Sequence, residues 1–153
     1  MSIEQNKAIV ARFYEELWNN RKVEVADEIF AGECVTHQLQ SGAEVTSAGR
    51  SPEVLKHHVG EWLKGFPDLR FEVEEMIAEG ELVMSRCVMR GTHAGEWMGV
   101  EASGRQVSIR MMVVHRIAKG KIVEDWVLVE TLGFLQQLGV VPPTVEILSK
   151  TRG

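Results

Sequence analysis

The apolar period of this chain changes once, near Asp68, and that change limits the possible folds more than any other feature. Upstream, apolar residues recur at helical spacing: Ile9, Val10, Phe13, Tyr14, Leu17 and Trp18, then Val25, Ala26, Ile29 and Phe30, then Leu55, Val59, Trp62 and Leu63. Downstream the period is two, through Phe71, Val73 and Ile77, then Val83, Cys87 and Met89, then Val107, Ile109, Met111 and Val113, then Val123, Val127 and Val129. Helices therefore come first and strands after. Glu79-Gly80, Ser103-Gly104 and Lys119-Gly120 supply short turns, so consecutive strands are expected to pair antiparallel. The layout is α+β, with N-terminal helices covering one face of a twisted antiparallel sheet.

Local signals mark the helix ends. Ser2 with Gln5 reads as a capping box, and the first helix is expected to run to Asn19-Asn20. Ser51-Pro52 is an N-cap followed by proline at the first helical position, and Gly65 with Pro67 stops that helix. Between them, residues 33–50 are of mixed polarity, with Cys34–His37 as a short strand. The glycines of Thr92–Gly99 bend the sheet, and the tail beyond Pro142-Pro143 is expected to be loosely attached.

With 153 residues, 44% of them hydrophobic and 25% charged, residues 1–153 read as one domain whose core spans about 5–143. The net charge of -5 and scattered basic residues argue against nucleic acid as a partner. Charges at Glu4, Lys7, Arg12, Glu15 and Glu16 break any secretory apolar segment, and no apolar run approaches the roughly 18 residues a membrane span needs. A cytoplasmic chain with no membrane partner is the expectation. Cys34 and Cys87 form no C-x-x-C pair.

Asp125 lies inside the apolar run that follows Lys121-Ile122-Val123. A charged group buried without a partner costs several kcal/mol or more, so such a carboxylate has either a structural partner or a chemical task. If it faces a pocket, strict alternation puts Val123, Val127 and Val129 beside it, and Glu124, Trp126, Leu128 and Glu130 on the other face.

The order of elements resembles the SnoaL-like polyketide cyclase family. The motifs that carry the likeness are Gly65-Phe66-Pro67-Asp68-Leu69-Arg70-Phe71, Gly91–Gly99, Gly104-Arg105, and Gly120–Glu124 before Leu135-Gln136-Gln137-Leu138-Gly139. The resemblance implies a cone-shaped barrel of the nuclear-transport-factor-2-like (NTF2-like, cystatin-like) type, and a homodimer or tetramer. It also implies a pocket between sheet and helices, a cofactor-free intramolecular aldol closure, and Asp125 as the acid/base. Where studied cyclases carry a histidine on the strand before that aspartate, the corresponding position here is Met112, which would turn Met112 and Arg110 inward.

Such chemistry needs no metal and no coenzyme. A carbon flanked by carbonyls is already acidic, so a positioned carboxylate can take its proton while a dry pocket folds the substrate. The expected ligand is a small, hydrophobic carbonyl compound. Aromatic and methionine side chains that could line its pocket are Tyr14, Trp18, Trp62, Trp97, Met98 and Met112, with Trp126 as a further candidate and Arg110 as an anchor for a carbonyl or carboxylate oxygen. Of the adjacent histidines His57 and His58, which point about 100° apart on a helix, His58 is the better pocket candidate. His37 and His93 lie in loop-rich segments, where sites are often built. Two other readings use the same pocket: a hydrolase, isomerase or dehydratase with Asp125 as base, or a non-catalytic small-molecule-binding module.

Overall fold

The computed structural model describes residues 1–41 and 46–152. Ser2 caps helix α1 (Ile3–Arg12), and the capping box with Gln5 is formed in both directions. The helix then widens into a π-helical turn, Phe13–Asn19, and a short α2 (Val25–Ile29) follows. Strand β1 (Phe30–Gln38) and the short β2 (Ser47–Arg50) lead to α3 (Pro52–Gly65), capped by Ser51 with Pro52 in its first turn. Strands β3 (Arg70–Glu79), β4 (Leu82–Thr92), β5 (Gln106–Ala118) and β6 (Lys121–Val129) form the meander. Helix α4 (Thr131–Gln137) and an almost wholly exposed α5 (Thr144–Arg152) end the chain.

The six strands are ordered β2-β1-β6-β5-β4-β3 in one curved sheet that stays open rather than closing into a barrel. Every neighbouring pair is antiparallel except β1 and β6, which run parallel, so the expected antiparallel sheet is mixed. Parallel pairing needs a long crossover; here it contains α3 and the meander, and β1 is nine residues long where only Cys34–His37 was expected.

Two bulges reset which residues face the helices. Val73 pairs with Cys87 but Glu75 with Arg86, so Met76 packs on the core and Ile77 is exposed, against strict alternation. On β6, Ile122 pairs with Ile117 and Glu124 with Arg116, which leaves Val123 as the extra residue. A bulge of this kind shifts the pleat by one position. Ile122 therefore takes the buried place expected of Val123.

Candidate active site

Asp125 sits in the middle of the sheet, 2% exposed, flanked across the two β6 ladders by Thr36 and His115, which are buried as well. Its Oδ2 accepts a weak hydrogen bond from the Cys34 thiol at 3.7 Å. Among the described residues no cationic side chain forms an ion pair with it. Burial, reinforced by the neighbouring aspartate, pushes the Cys34 thiol up to about 12, so that sulfur remains a donor.

The carboxylate opens on an inner chamber of about 70 Å³ between the sheet and the helices. The π-helical turn supplies one wall. With more residues per turn than an α-helix, it turns Phe13, Tyr14, Leu17 and Trp18 all toward the cavity. Arg50, His58, His115 and Gln38 add polar groups. Tyr14 is held by a 2.6 Å hydrogen bond to Ser85, and burial raises its hydroxyl well above the ordinary range. Burial draws His115 down to about 4; the negative field of Asp125 opposes this and the charge of Arg50 adds to it. His58 is also lowered to about 4, by burial first and then by Arg50 and His57. Both imidazoles are thus neutral at pH 7, each with one nitrogen to donate and one to accept.

Four buried polar atoms on this wall have no hydrogen-bond partner among the described residues: Asp125 Oδ1, both His115 ring nitrogens and Trp18 Nε1. Buried polar atoms are nearly always paired. Their convergence on one chamber suits a polar ligand head that supplies the missing partners. Gln38, His58 and Val127 also line a larger vestibule of about 520 Å³, whose other walls include Trp62, Trp97, Met98 and Phe134. Trp62 stacks on Phe134 with centroids 5.7 Å apart, and Trp97 packs on both.

The structure thus brings Tyr14, Trp18, His58 and Asp125 together at the inner chamber, with Trp62 and Trp97 at its approach. Four other expected positions lie elsewhere. Arg110 and Met112 project from the outer face of β5, where Arg110 pairs with Glu74 and Met112 is 47% exposed. The Val123 bulge is the cause. Counted back from the Lys119-Gly120 turn without it, Asp125 would share a face with Arg110, Met112 and Val114; with it, Asp125 faces His115, Val113 and Met111. His37 also points outward, bonded to Glu124 and Ser47 and stacked on Trp126. His93 is fully buried but stacks on Phe66 and bonds Ser103, tying down the loop before β5. Residues that sequence reasoning passed over are His115 and Arg50. His115 had a readable signal, a histidine on the strand paired with the Asp125 strand; Arg50 had none.

A carboxylate at the narrow end of a pocket, roofed by N-terminal helices on a curved sheet, lies here on a fold of the NTF2-like type. Residues 8–138 match the model of the SnoaL-like polyketide cyclase family, and the chain belongs to that family. Similar solved structures include IdmH, "a putative polyketide cyclase from Streptomyces antibioticus", at 32% identity and TM-score 0.75, covering 89% of this chain and 99% of that one. AclR, "a putative hydroxylase from Streptomyces galilaeus", is 27% identical with TM-score 0.80, covering 99% and 92%. A "SnoaL-like polyketide cyclase" structure from Jannaschia sp. CCS1, also described as putative, shares the fold at 22% identity and TM-score 0.80, covering 94% and 97%. No curated protein matches the sequence. No helix among the described residues is long and apolar enough to cross a membrane.

Proposed function

We propose that the protein is a SnoaL-like acid/base enzyme that closes a ring by intramolecular aldol addition, with Asp125 as the group that moves the proton. The observation that carries this reading is the buried Asp125 carboxylate, with Oδ1 unpartnered, facing a small chamber beside the neutral His115. Asp125 takes a proton from a carbon flanked by two carbonyls, the resulting enolate carbon attacks a second carbonyl of the same molecule, and the new alkoxide takes the proton back. One C–C bond forms, and the product is an isomer of the substrate. Neutral His115 donates a hydrogen bond to an oxygen on which charge develops. The aromatic vestibule holds the apolar body of the ligand and folds the chain so that its reacting carbons meet.

Incubation with a linear aryl poly-β-ketone tests this directly. Wild type is expected to give a cyclic product of unchanged mass with a new C–C bond by NMR. Asp125→Asn is expected to be slower by about 10²-fold or more, the usual contribution of a positioned acid/base. Equal rates in the two would remove Asp125 from the reaction.

A further inference from the structure

Arg50 is the cationic side chain that lines the inner chamber. Its backbone is placed by β2: Arg50 pairs with Cys34 across the β1–β2 ladder, so it shares the inward face with Cys34 and, two residues along, Thr36. Its Nε donates to Thr36 Oγ1 at 3.0 Å, which fixes one edge of the guanidinium plane. Among the described residues no carboxylate forms an ion pair with the other edge. The field of Arg50 bears on His58, His115 and Cys34, three groups around the same space. With both histidines neutral, Arg50 is the one cationic group and Asp125 the one acidic group lining the chamber among the described residues.

Size then divides the ligand. A chamber of about 70 Å³ admits a head group of a few atoms, whereas the vestibule of about 520 Å³ accommodates a fused aromatic body. The head meets a guanidinium whose remaining N–H groups have no acceptor among the described residues, which suits a planar, two-oxygen anion better than a neutral carbonyl.

We propose that Arg50 determines specificity by pairing with an ionised carboxylate at the end of the ligand that enters the inner chamber, so that the protein takes aromatic keto acids in preference to their esters. This deepens the reading of the same site as a carbonyl-processing pocket, but its test needs no turnover. The Kd of 4-(2-naphthyl)-4-oxobutanoate and of its methyl ester would be measured by calorimetry at pH 7 with wild type, Arg50→Gln and Arg50→Lys. All three proteins would first be matched by circular dichroism and melting temperature.

Wild type is expected to bind the acid at least about tenfold more tightly than the ester, as a charge-assisted pair in a partly buried site should give. Arg50→Gln should abolish that preference by weakening binding of the acid more than of the ester, and Arg50→Lys should keep part of it because the charge remains and the fork is lost. Equal affinity of wild type for acid and ester, no binding of the acid, or a preference that survives in Arg50→Gln would each overturn the proposal. Should Arg50→Gln be unfolded, Arg50→Lys and the acid–ester comparison in wild type still decide it. Loss of this preference would leave the Asp125 reaction untouched, and failure of the Asp125 reaction would leave the preference standing.

Discussion

His115 enters the core as a neutral ring, and this links its chemistry to stability. Its folded value is about 4 against an ordinary 6.5. As pH falls below about 6.5 the unfolded chain takes up a proton that the folded chain refuses until about 4, so the unfolded state binds more protons across that window. Stability should therefore fall as pH drops from about 6.5 to about 4, and this group should add no further loss below that. At 1.36 kcal/mol per unit the loss is at most about 3 kcal/mol. His115→Phe, which keeps an aromatic ring beside Phe13, should flatten the dependence in urea titrations at pH 7 and pH 4.5. Tyr14→Phe removes the hydrogen bond to Ser85 and should cost about 1–2 kcal/mol in the same titration. Asp125 could be singled out from sequence because a carboxylate in an apolar strand needs a reason. Which β5 residues share its face was not legible, because one bulged valine decides that alignment.

Helices were legible where capping chemistry is local. Ser2 with Gln5 and Ser51 with Pro52 stand at the helix starts their residue types require. The π-helical turn was not legible, because its apolar residues satisfy a 3.6-residue period just as well. The loop between β4 and β5 is held by close backbone contact. Gly95 N–H donates to the Gly65 carbonyl, and a Cβ on Gly95 would collide with the Lys64 carbonyl oxygen. Gly95→Ala should therefore lift this loop from α3, costing about 1–3 kcal/mol as overpacking does. Because Trp97 rides on the loop, the substitution should also weaken binding of naphthyl ligands, read as smaller quenching of tryptophan fluorescence.

The molecule as a whole has two unlike faces. The helix-covered face holds the chamber; the outer face leaves Met112 and Leu128, direct partners on β5 and β6, about half exposed beside a groove of about 410 Å³ that includes Arg86, Arg110 and Glu130. We propose that a second copy covers this face. Met112→Lys should then shift the sedimentation profile toward monomer while leaving the chamber's ligand affinity unchanged. The division of faces was readable as alternation on β4 and β5, where Val83, Cys87, Met89, Val107, Ile109 and Val113 are buried, but not across the bulges of β3 and β6, which depend on long-range pairing. Asp125 is proposed to move a proton at an activated carbon. Its most direct test is NMR-detected deuterium exchange at the carbon between the carbonyls of a bound naphthyl 1,3-diketone, with wild type and Asp125→Asn after both are shown to bind. Exchange accelerated in wild type and lost in the variant is the predicted result; equal exchange in both, or binding without acceleration in either, would contradict it.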